Sequence, residues 1–482
     1  MVNLTVFGIL NSLESREISS LEITKYYLNR IEQYDSLIDS FITVCQSEAL
    51  NAARAADQAI LRGESKPFLG VPYAVKDNIC TKGITTTCAS KILENFVPPY
   101  NATVLDRLRG AVLLGKLNMD EFGMGSSTEN SYFKCTKNPF DFSKVPGGSS
   151  GGAAAAVSAG FVPFALASDT GGSVRQPASF CGCVGLKPTY GRVSRYGLVS
   201  YASSFDQIGV ITKNVRDCAI VLNEISGRDL KDATTVSAQC DFMNNFGCDI
   251  KGLRIGIPTQ YFESIVDSEI KDKLILSIKI LEKLGAKCEE FSFPFADSAL
   301  SAYYIIASCE ASSNLARYDG VKYGLRACGQ NLEQMYKNTR HSGFGREVKR
   351  RIMLGNFALS AGFKDEYYNM ATGVQELVIN EFDTQFGKYD VLITPTALET
   401  AFKLDEKKLP AQMYMSDICT VAANLAGIPA ISIPCGTDST GMPIGIQIMG
   451  KRFDEQTVLN LAYALEQELN LDIKPSLPGE SK

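Results

Sequence analysis

Apolar residues along this chain switch repeatedly between the 3.6-residue repeat of helices and the short unbroken runs that fill buried strands. Near the N-terminus, Ser19 and Glu22 form a capping box ahead of residues 21–34, where Ile23, Tyr27, Ile31 and Tyr34 recur on one face. Residues 41–45 read as a short strand, and 48–62 as an alanine-rich helix stopped by Gly63. The run 68–78 (FLGVPYAVKDN) is strand-like and carries Lys76 near its end. A helix over 102–109 and a strand over 111–117 lead into the polar, glycine-punctuated loop 118–131, the composition of a substrate-facing loop.

The later chain keeps the alternation. After an apolar run at 184–188 come a turn-rich stretch, 189–204, and a helix over 215–225. Residues 228–250 are polar and read as a surface connection. A strand at 253–257, a helix at 271–284 and a strand at 287–293 give a β-α-β rhythm, which argues for an α/β layered architecture. Residues 298–385 are mainly helical. Strands at 389–395, 430–434 and 444–449 precede a terminal helix at 455–469. No internal repeat interrupts this order.

One stretch stands apart. Residues 146–173 read PGGSSGGAAAAVSAGFVPFALASDTGGS, with glycine pairs framing Ser149-Ser150 and another pair preceding Ser173. Glycines at this density let backbone N–H groups converge. A short helix over 153–159, closed by Gly160, and a strand over 161–167 would deliver Asp169-Thr170-Gly171-Gly172-Ser173 at the strand's far end. Serines beside clustered donors suit a nucleophile and an oxyanion hole. The same glycines also suit close packing or a phosphate site, but the chain has no G-x-x-x-x-G-K-[ST], and GGSSGG lacks the G-x-G-x-x-G spacing.

Composition narrows the chemistry. With 482 residues, 48 basic and 53 acidic side chains and a net charge of −5, nothing resembles a nucleic-acid footprint. If RNA is involved, another chain holds it. The 14 cysteines are scattered and there is one histidine, so neither a disulfide framework nor a structural zinc site is expected, and no metal site is assigned. Reduced cysteines, no signal peptide and no membrane-spanning stretch point to a soluble, cytoplasmic protein. A serine nucleophile needs a base. The lone His341 sits in the polar segment TRHSGFG, where surface residues are the rule, which leaves Lys76 as the better-placed candidate.

VPYAVKDN around Lys76, GGSSGG around Ser149 and DTGGSVRQPAS around Ser173 resemble the amidase signature family, and the likeness runs over essentially the whole chain. YYIIASCEASSNLARYDGVKYG, EVKRRIMLGNFALSAG and NLAGIPAISIPCG resemble the branch that generates ammonia for tRNA-dependent amidotransferases. The resemblance implies the amidase signature α/β fold: a large mixed β-sheet covered by helices on both faces. It implies one domain over 1–482, with 298–385 as a helical lobe over the site.

It also implies a Ser-Ser-Lys triad. Ser173 is then the nucleophile, Ser149, preceded by a cis peptide bond, passes the proton, and Lys76 is the base. Thr170, Gly171, Gly172 and Ser173 supply oxyanion N–H groups. The substrate is glutamine, bound through Ser126, through Arg350 or Arg351 for its carboxylate, and through Asp417 for its ammonium. Ammonia passes to the B subunit of the amidotransferase, with a small C subunit stabilising the pair. The B subunit holds the charged tRNA and uses ATP with Mg, so this chain itself carries no cofactor.

A neutral Lys76 is a severe demand, since bringing a lysine from ~10.4 to ~7 costs about 4.6 kcal/mol of charged-state stability. Asp77, pointing to the other side of an extended segment, does not oppose it. A stand-alone amidase acting on small or aryl amides is the alternative, and an inactive scaffold is a third possibility that the intact Lys76, Ser149 and Ser173 argue against.

Overall fold

The computed structural model describes residues 5–238, 241–407 and 409–479. Its strands, in chain order, are β1 (Phe41–Val44), β2 (Pro72–Lys76), β3 (Val112–Leu117), β4 (Phe164–Asp169), β5 (Val184–Lys187) and β6 (Gln207–Thr212). They continue with β7 (Arg254–Pro258), β8 (Lys287–Phe291), β9 (Val391–Pro395), β10 (Ala430–Thr437) and β11 (Pro443–Gly450). All eleven join one sheet in the order β1-β3-β2-β4-β6-β5-β10-β11-β9-β7-β8. Two parallel triplets, β3-β2-β4 and β9-β7-β8, are linked by an antiparallel middle. The sheet is mixed, as the resemblance implies.

Side-chain alternation shows that both faces are covered. Val391, Ile393, Ile431 and Ile448 pack into one apolar cluster with helices Ser268–Lys283 and Glu455–Leu469. Their strand neighbours Leu392, Ala430 and Met449 pack into a second cluster with helices Ala296–Asn314 and Met370–Lys388. Period-two strands with both sides apolar read in sequence as unbroken hydrophobic runs, as β2 and β4 do.

Most expected elements form within a few residues of their sequence-read bounds. The capping box at Ser19 and Glu22 opens helix Ser20–Ile38, and Glu455–Leu469 is helical as read. One strand has no counterpart among those read from the sequence. β6 lies between β4 and β5, with Gln207 directly opposite Asp169. Its six residues open on the polar Gln207, after Asp206 and the turn-rich stretch, and its central Gly209 weakens the strand signal. No helix among the described residues is long and apolar enough to cross a membrane.

The glycine-alanine helix Gly151–Ser158 explains its own composition. All eight residues are buried beneath the strands of the site. A Cβ on Gly152 would lie 2.4 Å from the Asn118 carbonyl oxygen and 2.7 Å from that of Ser40, both backbone atoms that cannot turn aside. Gly373, exposed in the first turn of helix Met370–Lys388, meets nothing within 4 Å. Gly152→Ala is therefore expected to lower the unfolding free energy by about 1–3 kcal/mol through overpacking. Gly373→Ala should raise it by about 0.5–1 kcal/mol through helix propensity. Denaturant unfolding of the two variants checks both signs.

Candidate active site

Two adjacent parallel strands end at the same edge of the sheet, and each delivers part of the site there. β2 ends in Lys76, and β4 ends in Asp169 and runs into the Thr170–Ser173 turn. The Lys76 amine is fully buried, with Nζ 2.7 Å from both Ser149 Oγ and Ser150 Oγ and 3.2 Å from the Ser168 carbonyl oxygen. The Gly148–Ser149 peptide bond is cis, as the resemblance implies. The Ser150 N–H donates to the Ser173 carbonyl at 3.2 Å, which ties the two serine segments together.

Burial dominates the electrostatics of Lys76. It pushes the amine down to about 7, against the opposing fields of Asp120, Asp169 and Asp206. None of these carboxylates touches the amine, because each is occupied elsewhere. Asp120 accepts the N–H groups of Ser127, Thr128 and Asn130. Burial pushes Asp169 up, but the Arg175 guanidinium overcomes it and holds the carboxyl below the usual range, with bonds of 2.9 and 3.0 Å. Asp77 faces away, as expected, and pairs with the buried Lys116 at 3.5 Å. His341 is exposed on helix Leu332–Gly343.

The turn before Ser173 is held from several sides. Thr170 Oγ1 donates to Asp206 Oδ1 at 2.6 Å, and Thr420 Oγ1 donates to the Gly171 carbonyl at 2.6 Å. Gly172 has φ +129°, and a Cβ there would lie 2.2 Å from Thr420 Oγ1, so no other residue fits. The Gly172 N–H is already committed, donating to Asp169 Oδ1 at 2.8 Å, and is not free as an oxyanion donor. Among the described residues, no protein acceptor is assigned to the N–H groups of Thr170, Gly171 or Ser173.

The charged candidates outside the signature gather on one side. Arg351 is buried, with Nε donating to Glu347 at 2.8 Å and Nη1 to the Tyr201 hydroxyl at 2.6 Å. The rings of Tyr201, Tyr304 and Tyr414 lie 5.1–5.6 Å from its guanidinium carbon. Arg350, on the same helix Arg346–Ala358, is part-exposed and pairs with Glu347. Asp417 Oδ2 accepts from Ser126 Oγ at 2.9 Å and from the Tyr304 hydroxyl at 2.5 Å, and burial pushes its carboxyl up to about 6.

A cavity of about 430 Å³ opens beside this group, bounded by Gly125, Ser127, Glu347, Arg350, Arg351 and Tyr414 but not by Ser173. Sequence reasoning missed the three tyrosines, Ser150 as a second hydroxyl on Lys76, and Gln176. The Gln176 side chain accepts the Gly148 N–H at 2.9 Å and donates to the Ser126 carbonyl at 3.1 Å. Tyr304, in YYIIASCEASS, is spaced as an ordinary apolar helix position and gave no signal of its own.

The mixed sheet and the glycine-serine segments that meet at its strand ends are those of an amidase. The chain belongs to the amidase family, whose model matches residues 22–459. It is 54% identical over 484 residues to the A subunit of glutamyl-tRNA(Gln) amidotransferase from Caldanaerobacter subterraneus subsp. tengcongensis, covering 99% of each chain. It is 55% identical to the A subunit from Moorella thermoacetica, covering 96% of each. Among solved structures, the A subunit of the Thermotoga maritima enzyme superposes with a TM-score of 0.80 at 43% identity, over 96% of this chain and 95% of that one. Peptide amidase from Stenotrophomonas maltophilia superposes at 0.84 with 27% identity, over 98% of both.

Exposure separates the three serines. Ser173 is 8% exposed, Ser149 1% and Ser150 not at all. A glutamine-shaped electrophile is expected to label Ser173 alone. Mass spectrometry that found the adduct on Ser149, Ser150 or a cysteine would contradict this geometry.

Proposed function

We propose that this chain hydrolyses the side-chain amide of glutamine through Ser173, Ser149 and Lys76, and supplies the ammonia to another protein of the same complex. The observation that carries the reading is the buried amine at 2.7 Å from Ser149, shifted to about 7 and paired with no carboxylate. A neutral Lys76 Nζ takes the proton of Ser149 Oγ as Ser149 takes that of Ser173. Ser173 Oγ then bonds to the amide carbon. The oxyanion is held by N–H groups of the Thr170–Ser173 turn, Gly172 excepted. The proton returns along the same path to the leaving nitrogen, ammonia departs, and water cleaves the glutamyl ester to glutamate.

Arg351 is the better of the two arginines for the substrate carboxylate. It is buried and preorganised by Glu347 and three tyrosines, whereas Arg350 is part-exposed. Asp417, beside Ser126, is the counterpart for the ammonium. The amidotransferase relatives support a partnership in which the B and C subunits complete a cytoplasmic heterotrimer. The B subunit would hold the charged tRNA and use ATP with Mg to amidate Glu-tRNA(Gln). In this reading the chain works as one amidase domain, with 298–385 as the lobe over the site. Full-length likeness to the amidotransferase relatives at above 50% identity weighs against a stand-alone amidase.

Ser173→Ala and Lys76→Ala should each lower glutamine turnover by at least ~10³-fold. Lys76→Arg should not rescue, because arginine stays charged. His341→Ala should leave turnover unchanged, and a large loss there alongside an active Lys76→Ala enzyme would return the base to histidine.

The pH profile follows from the same shift. Lys76 works only when deprotonated, so kcat should fall as pH drops through about 7 and level off above it. Asp417 is charged above about 6, so KM for glutamine should rise separately below that pH. A flat kcat between pH 6 and 8 would contradict the lysine base.

For the binding pair, Asp417→Asn and Arg351→Lys should each raise the glutamine KM about 10-fold or more, from the loss of a charged hydrogen-bonding partner. Arg350→Lys should change it by less than about threefold. Normal KM values in the first two variants would favour an amidase that does not select a free amino acid.

A further inference from the structure

Asp206, buried immediately before β6, joins two parts of the site that come from different elements. Its Oδ1 accepts from Thr170 Oγ1 at 2.6 Å and from the Ala202 N–H at 3.2 Å. Its Oδ2 accepts from the Tyr201 N–H at 2.9 Å and from Ser200 Oγ at 3.0 Å. All four partners donate and none is a cation, so the pocket suits a group that only accepts, which among the carboxyl-shaped side chains means an ionised carboxylate. An asparagine would turn an NH2 group toward a donor on at least one side. Thr170 opens the turn that ends in Ser173, and Tyr201 receives Arg351 Nη1 on its hydroxyl at 2.6 Å. One carboxylate therefore holds the base of the Thr170–Ser173 turn with one oxygen and the backbone of Tyr201, which packs on Arg351, with the other.

We propose that Asp206 is a positioning residue that sets the Ser173 turn, through Thr170, in register with the arginine subsite, through Tyr201. The inference rests on the roles proposed above for Ser173 and Arg351. It adds that alignment for chemistry and alignment for binding are fixed by one side chain and can be separated by removing the Thr170 hydroxyl on one side and the Tyr201 hydroxyl that receives Arg351 on the other.

The test is steady-state glutamine hydrolysis by the full complex carrying single substitutions. Thr170→Val keeps the shape of the side chain and removes only the hydroxyl. It should lower kcat about 10–100-fold, since misplacing reacting groups by ~1 Å costs on the order of 100-fold, with KM within about twofold. Thr170→Ser should restore kcat. Tyr201→Phe keeps the N–H that Asp206 accepts and removes the hydroxyl that receives Arg351 at the far end of this branch; it should raise KM about tenfold with kcat within about twofold. Asp206→Asn should do both, and if it does not fold, the Thr170 and Tyr201 variants decide alone. Wild-type kcat in Thr170→Val, or the same parameter moving in both branch variants, would overturn the proposal. Ser173→Ala in the same series keeps the two levels apart. If it retained turnover, the serine reading itself would fail, whereas an inactive Ser173→Ala beside a normal Thr170→Val would sink only the role of Asp206.

Discussion

Burying an amine without giving it a carboxylate is the constraint on which the rest of this structure depends. A lysine in such a place resists protonation, and the cost is met by the surrounding fold, since the local contacts are two hydroxyls and a carbonyl. Had Asp120, Asp169 or Asp206 reached Nζ, the pair would have held the amine charged and inert as a base. Each is instead drawn off by its own set of donors: backbone N–H groups for Asp120, Arg175 for Asp169, and hydroxyls with N–H groups for Asp206. The acidic surroundings thus supply order without neutralising the base.

The same closeness of contact explains the glycines and alanines. Lys76, Ser149 and Ser173 sit on three segments that meet only because helix Gly151–Ser158 lies flat beneath β2, β3 and β4. Bulkier side chains in place of its glycines and alanines would lift the helix off the strands. Sequence composition, close packing and the distance from Nζ to Ser149 are therefore one fact seen at three scales.

Much of this was legible in the chain. The signature segments place Lys76 and both serines at strand ends and turns, and the alternation of apolar runs with helical repeats fixes the α/β class. What was not legible depends on contacts between distant segments. Spacing on helix Arg346–Ala358 could not tell Arg350 from Arg351, because what sets them apart is the packing of Tyr201, Tyr304 and Tyr414 on Arg351 from three other parts of the chain. Gly172 reads as an oxyanion donor in a glycine turn, yet its N–H is taken by Asp169 three residues earlier, a loop-level bond that no periodicity reveals. β6 was hidden because its place is set by pairing with β4 and β5 rather than by its own pattern.

The central claim is that Lys76 titrates near pH 7 in the folded protein rather than near 10, and this can be read directly. Protein carrying lysine labelled with ¹³C at the ε position, recorded by NMR as a function of pH, should show a resonance titrating near 7 that is absent from a Lys76→Met sample. The buried Lys187, also pushed down to about 7, persists in that sample and serves as an internal marker. A resonance lost in Lys76→Met that instead titrates near 10 would mean a charged amine at Ser149, and the account of the site would be wrong.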